Sequence, residues 1–234
     1  KAPPYMSHIT VYLKVFSPLP RKGADAMMHR WGLDLLSHGL RQVYGLTLSS
    51  HALEYRGDHE GLGPGSGNSG HILLGPHGKP RLSDHPQIHF SLTNCPGLVA
   101  CAFSDGEIGI DAEMPRGASP ALLSRVLTEE EAKMLASSDH LSFSHLWTCK
   151  EALAKCTGLG LNSDIYRVGF RLSAAAIPPA AKYPPLFYPL LPVYFQRKDY
   201  YLAQGHLPDG HIISLCSAKV IDSIKILPVQ QTRQ

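Results

Sequence analysis

The chain has 234 residues, enough for one large domain or two small ones with a real core. Hydrophobic residues make up 44 % and charged residues 18 %, a composition that excludes a disordered chain. Lys plus Arg number 22 against 19 Asp plus Glu, and a surplus of +3 is too small to make nucleic acid the main partner, though it allows a local basic patch for an acidic ligand.

The opening residues, KAPPYMSHI, lack the apolar run of a signal peptide. The longest apolar stretch, 186–195, is broken by two prolines and too short to cross a bilayer, so a soluble, cytoplasmic protein is expected. Residues 8–15 predict a strand. Met28, Leu35, Leu36, Leu40 and Val43 then recur at helical spacing, which predicts a helix over 24–44. The Gly-rich stretch 56–70 predicts a loop. It contains GSGNSG, a formal GxGxxG, but Gly75, Pro76, Gly78 and Pro80 follow, so no helix can start there to receive a phosphate.

Three strand-like runs come next, at 87–94, 98–103 and 107–113, and then a linker at 114–120. Thr128 and Glu131 form a capping box ahead of an apolar run. A second helix is predicted over 143–157, stopped by Gly158 and Gly160. The tail reads as β at 168–174, 192–195, 200–207 and 211–219, the last two joined by a Pro208-Asp209-Gly210 turn, with 229–234 frayed. Strands with at least one helix in each half predict an α+β fold. The five cysteines show no CxxC spacing and read as free thiols, with Cys149 and Cys156 as core positions of one helix stripe.

Two features carry chemistry. Asp111 and Glu113 stand at i and i+2 on a strand end, so both side chains leave by one face, with Cα atoms about 6.6 Å apart. Like charges at that range repel by about 2 kcal/mol at an effective dielectric of about 20. A hard divalent cation such as Mg²⁺ would repay such an arrangement; the plain alternative is a solvated strand end. On the second helix, Trp147, Glu151 and Lys155 at i, i+4 and i+8 form one face, while Leu146, Cys149, Leu153 and Cys156 form an apolar one. Glu151 and Lys155 could be a surface ion pair. In the chemical reading, Glu151 is a third acid near the metal and Lys155 faces the charge of a phosphoryl centre.

Taken together, GIDAE and WTCKEALAK resemble the G-[IV]-D-x-E and W-x-x-K-E-[AS]-x-x-K elements of the 4′-phosphopantetheinyl transferase family, in the right order and spacing. The resemblance is to the longer, monomeric class that includes the surfactin-synthetase activator. Upstream, Gly78-Lys79-Pro80 matches the family's G-K-P, and the run from Phe90 to Cys95 takes the place of its F-N-x-S-H-S strand.

The resemblance implies two similar α+β halves, 1–113 and 114–234, packed with pseudo-twofold symmetry around a cleft for coenzyme A. It implies Mg²⁺, or Mn²⁺ in its stead, on Asp111, Glu113 and Glu151. The implied reaction moves 4′-phosphopantetheine onto a serine of an apo acyl or peptidyl carrier protein and releases adenosine 3′,5′-bisphosphate. Glu151 or a metal-bound water is then the base, and Lys155 assists the leaving phosphate. Lys79, Thr93 and Asn94 are implied coenzyme A contacts, and Arg30, with Arg21 and Lys22, would meet its 3′-phosphate. Asn94 stands where the family has histidine, which keeps hydrogen bonding but removes a charge. The stretch around 122–141 would offer a docking surface for the carrier, although Leu122, Leu123, Val126 and Leu127 read as core. Two rivals are a phosphatase or nuclease using the same acids, and a non-catalytic coenzyme A or carrier-binding relative. The first would not require Trp147 and Lys155, and only Asn94 favours the second.

Overall fold

In the computed structural model, residues 6–17, 19–48, 55–57, 72–172 and 187–229 are described. The GSGNSG run, most of the loop predicted over 56–70, the side chain of Arg21 and residues 230–234 lie outside the described residues. The architecture is mixed α+β, as expected. The first half of the chain supplies β1 (Met6–Val15), α1 (Arg21–Tyr44), β2 (Tyr55–Gly57), β3 (Ile72–Leu74), β4 (Pro80–Leu82), β5 (His89–Cys95), β6 (Leu98–Ser104) and β7 (Ile108–Glu113). Then come α2 (Pro120–Val126), α3 (Glu129–Ala136), α4 (Phe143–Thr157), α5 (Ser163–Arg167), β8 (Phe187–Pro189), β9 (Val193–Phe195), β10 (Lys198–His206), β11 (Ile212–Ser217) and β12 (Val220–Pro228).

Alternation along the strands sorts these elements into layers. One sheet runs β12-β1-β6-β5, another β7-β11-β10-β8 with β9 on β10, and β2-β3-β4 form a small third. In the first sheet, Tyr12, Val99, Cys101 and Phe103 pack with Leu35, Leu36 and Leu40 of α1. Their neighbours Val11, Leu13, Ala100 and Ala102 point the other way, against Ile108, Ile110, Ile213 and Leu215 of the second sheet. Behind that sheet, Leu202 and Cys216 meet Leu146, Cys149, Leu153 and Cys156, the apolar face predicted for α4. The order is therefore helix, sheet, sheet, helix, each layer burying the apolar face of the next. All five cysteines are buried and free. Among the described residues no helix is long and apolar enough to cross a membrane.

Several local readings change, and β3, β4, α5 and β8 are elements without a predicted counterpart. The predicted linker ends in α2, whose Ser119 N-cap accepts the Leu122 N–H, with Pro120 opening the first turn. Only Val126 of that helix is fully buried. The strand expected over 168–174 does not form in its described part, 168–172. Its backbone groups go to side chains instead: Val168 O accepts from Lys150 Nζ at 2.7 Å, and Phe170 N–H donates to Glu131 Oε1 at 2.9 Å. Finally, β12 has no counterpart among the predicted strands. It pairs parallel with β1, Ile224 opposite Ile9 and Ile226 opposite Val11.

The capping box predicted at Thr128 is present and does more than cap. Glu131 Oε2 accepts the Thr128 N–H at 2.8 Å and also holds Lys150 Nζ at 2.9 Å. Lys150 and Glu131 are 0 % and 1 % exposed, and the ammonium's other bonds go to Tyr166 O and Val168 O. This fully bonded buried pair ties α3, α4 and the segment after α5 into one unit. Lys150→Met should leave Glu131 buried without its cation and cost about 3–5 kcal/mol in urea unfolding, with part of the loss recovered in the Lys150→Met/Glu131→Gln double variant.

Candidate active site

The site is built where α4 lies on β7. Ile108, Ile110 and Ala112 face the space between the sheets, so Gly109, Asp111 and Glu113 face α4. Gly109 makes the close approach possible. A Cβ there would sit 2.0 Å from Ala152 O and 2.5 Å from Cys156 N, so any side chain would push the helix away. Further along, Thr148 Oγ1 bonds Ser214 Oγ at 2.7 Å, and Ser214 is the β11 partner of Asp111. The helix is thereby fixed in height and in rotation over the acid-bearing strand.

Asp111 is 6 % exposed. Its Oδ1 accepts from Lys155 Nζ at 2.6 Å and from Thr93 Oγ1 at 2.9 Å, and Thr93 Oγ1 also accepts from Lys155 at 3.3 Å. Its Oδ2 is buried and has no partner among the described residues. Burial pushes the Glu151 carboxyl up to about 7; Lys155 opposes this, and the charges of Asp111 and Glu113 add to it. Glu113 is raised as well, by burial and then by Asp111, while Arg116, Lys155 and His211 pull it back. The three acids thus act on one another through space, with Lys155 against Asp111 and Arg116 3.7 Å from Glu113. Among the described residues, no three His, Cys, Asp or Glu side chains stand close enough together to hold a metal ion, and it is the Lys155 ammonium that lies against Asp111.

A cleft of about 320 Å³ opens beside these groups. Its walls include His77 and Lys79 of the β3–β4 turn, Ser91 of β5, Glu151 and Lys155 of α4, and Gly158. Lys79 enters this wall already engaged: its ammonium donates to a Glu107 carboxylate oxygen and, at 2.7 Å, to Cys156 O near the end of α4. Glu107 is held down at about 2, first by His89 and then by Lys79.

The remaining expected contacts are dispersed. Asn94 is exposed on β5 and points away from the face that carries Thr93. Arg30 and Lys22 are exposed on α1, Lys22 at a kink with Gly23. Trp147 packs its ring on Phe143, 5.5 Å between centroids, rather than standing free beside Glu151. Three further residues shape the site without any sequence signal of that role: Gly109, Ser91, whose Oγ accepts the Ile110 N–H at 3.2 Å, and Lys150, which pairs with the capping residue Glu131. Lys150 lies inside the W-x-x-K-E run and Gly109 inside G-I-D-x-E, so each motif contained the residue without announcing its role.

Residues 107–216 match the 4′-phosphopantetheinyl transferase superfamily. This stretch begins at Glu107, spans β7 and α4, and ends in β11. The chain is similar to the 4′-phosphopantetheinyl transferase Sfp of Bacillus subtilis, 33 % identical over 100 residues that cover 41 % of this chain and 45 % of that one. It is 28 % identical to the 4′-phosphopantetheinyl transferase psf-1 of Bacillus pumilus over 153 residues, 64 % of this chain and 58 % of the relative. A longer, weaker match, 23 % over 211 residues, covers 84 % of this chain and 71 % of the L-aminoadipate-semialdehyde dehydrogenase-phosphopantetheinyl transferase of Candida glabrata. The chain spans about half the length of these two Bacillus proteins, 45 % and 58 %.

Proposed function

With residues 107–216 taken as a segment of the 4′-phosphopantetheinyl transferase superfamily of the Sfp-like class, we propose that the protein transfers 4′-phosphopantetheine from coenzyme A to a serine of an apo acyl or peptidyl carrier protein. The observation that carries this reading is the arrangement at β7 and α4. Three carboxylates and one lysine share a partly buried wall beside a cleft, and a fold gains nothing from such crowding of acids unless a ligand compensates them. The reading includes the two-halved arrangement, 1–113 and 114–234, related by a pseudo-twofold axis with coenzyme A between them. The helix-sheet-sheet-helix layering supports two such halves, with β7 and β12 exchanged between their sheets.

The donor set suits Mg²⁺ in chemistry, and the three side chains would have to draw together around the ion to hold it. The candidate ligands Asp111, Glu113 and Glu151 offer only oxygen, and the buried Asp111 Oδ2 is an acceptor still lacking a donor or a cation. These three residues would hold the ion, which when bound supplies positive charge to the pyrophosphate. The serine Oγ forms a bond to the β-phosphorus of coenzyme A, and the bond from that phosphorus to the bridging oxygen breaks. Its electron pair leaves on adenosine 3′,5′-bisphosphate. Glu151, the one of the three acids that lines the cleft, takes the serine proton. Lys155 turns from Asp111 toward the leaving phosphate and donates to it. Thr93 holds Asp111 Oδ1 meanwhile.

Calorimetric titration tests the binding half of this reading. Coenzyme A should bind about tenfold or more tightly with Mg²⁺ present than without, and Asp111→Asn should remove the gain. Equal affinity with and without the ion in the wild-type chain would refute it.

A further inference from the structure

Helix α4 begins on a pair of histidines that the proposed reaction does not use. His145 is the third residue of the helix, and its Nδ1 accepts the backbone N–H of the N-cap residue Ser142 at 3.0 Å, the position a glutamate or glutamine holds in a capping box. Its Nε2 lies 3.0 Å from Nε2 of His206 at the end of β10. The Ser142 hydroxyl also lies 3.0 Å from His145 Nδ1 and can donate or accept, so it is the backbone N–H, which can only donate, that selects the tautomers. Because His145 Nδ1 accepts, the proton sits on His145 Nε2 and is donated to His206 Nε2. His206 then carries its own proton on Nδ1, which is buried and meets no partner among the described residues.

The surroundings offer no charge to stabilise an imidazolium. The Tyr188 ring stacks on His206 with centroids 6.5 Å apart, and its hydroxyl is spent on Gln204 Oε1 at 2.8 Å. Gln204 Nε2 bonds the His145 carbonyl at 2.8 Å and Ser214 Oγ at 2.9 Å. Thr148 and Cys149 complete the shell, and burial holds the Cys149 thiol neutral, at about 12. Burial and then His206 push His145 down to about 4, against a smaller upward pull from the Ser142 backbone. Burial lowers His206 too.

We propose that His145 and His206 are positioning residues, a tautomer-locked pair that fixes the start of α4, and that a proton on either ring releases the first turn of the helix carrying Glu151 and Lys155. A proton on His145 Nδ1 opposes the Ser142 N–H and can turn only to the Ser142 hydroxyl, 3.0 Å away, so the backbone half of the cap is lost. A proton on His206 Nε2 opposes His145 Nε2–H, and His145 can retreat only to the tautomer that also gives up the cap. Both routes end at the same place, six residues before Glu151. The pair and its response to acid do not depend on the transferase reading; only the consequence for transfer does.

The sign follows from linkage. A histidine lowered by folding leaves the unfolded chain to bind the proton first, so stability is full above the unfolded value near 6.5 and falls as pH drops toward about 4. Glu151, raised to about 7, works in the opposite direction, so the informative quantity is the difference between wild type and a variant. His145→Gln keeps an acceptor for Ser142 and a donor for His206 but cannot titrate. Between about pH 7.5 and about pH 4.5 the wild-type folding constant should lose about a hundredfold relative to His145→Gln, read by urea unfolding.

Hydrogen exchange of the amides of 143–147 should lose protection over the same range in wild type and keep it in His145→Gln. Long-range nitrogen-15 spectra of the wild-type histidines give a check that needs no variant: His145 protonated at Nε2 and His206 at Nδ1. Parallel pH curves for wild type and His145→Gln, or a His145 carrying its proton on Nδ1, would overturn the proposal.

Discussion

Glu151→Gln and Asp111→Asn are each expected to lower phosphopantetheine transfer by about 10²–10³-fold without unfolding the chain. The two losses have different origins. Glutamine at 151 keeps the side-chain volume but can neither take a proton from the serine nor add charge to the metal-binding set. Asparagine at 111 removes the charge that draws Lys155 to 2.6 Å and leaves a neutral oxygen beside Thr93. Stability should move the other way for Glu151→Gln. Burial raises this carboxyl to about 7, so its ionised form burdens the fold as pH rises past that value, and the amide removes the burden. A variant that melts at least as high as wild type at about pH 8 yet has lost transfer separates function from folding. Lys133→Gln, at a side chain paired with the exposed Glu129 at 2.6 Å, should leave both quantities unchanged. Transfer within about twofold of wild type in Glu151→Gln would remove Glu151 from the proposed chemistry.

The second large effect belongs to Gly109. Its backbone lies outside the left-handed region, so the requirement for glycine there is space alone. The obstacles to a Cβ are helix backbone atoms, Ala152 O at 2.0 Å and Cys156 N at 2.5 Å, which cannot swing aside as a flexible side chain can. Gly109→Val should therefore cost about 3 kcal/mol or more in urea unfolding, the upper range for an overpacked core. Because α4 must lift from β7 to accommodate the side chain, Lys155 should also withdraw from Asp111, and transfer should fall even where the variant is fully folded. Gly109→Ala, with one added carbon against the same two atoms, should rank between wild type and valine in both measurements.

How much of this was legible beforehand depended on the range of the interactions. Trp147, Glu151 and Lys155 share a helix face because 3.6 residues make a turn, and Asp111 and Glu113 share a strand face because the period there is two. Both facts are local and could be read from spacing. So could the Thr128–Glu131 capping box and the Pro208-Asp209-Gly210 hairpin, where Leu207 N–H meets His211 O at 2.8 Å. What spacing could not supply was the contact between the two motifs. Gly109 against Ala152 and Lys155 against Asp111 are partners 43 or 44 positions apart, and nothing at either position announces the other.

The missed strand β12 has a physical reason as well. It lies at a sheet edge with a half-exposed, irregular burial pattern, so its sequence carries little alternation to detect. The strand wrongly expected after α5 failed for the opposite reason. Val168 and Phe170 look strand-like, but their backbone groups are claimed by Lys150 and Glu131, a pairing visible only once α3 and α4 are side by side. Lys79 shows the same limit at the site. Its motif suggested a phosphate contact, whereas the structure gives its ammonium to Glu107 and to Cys156 O.

If the wall formed by Asp111, Glu113, Glu151 and Lys155 performs phosphopantetheine transfer, the product is a carrier protein heavier by one phosphopantetheine. The most direct measurement is the intact mass of an apo carrier protein after incubation with this chain and coenzyme A, with divalent ions stripped and then restored. The account predicts that the carrier gains the mass of one phosphopantetheine on its serine when Mg²⁺ is restored, and none in its absence. A carrier whose mass stays unchanged with coenzyme A and Mg²⁺ both present, while the chain is folded, would contradict it.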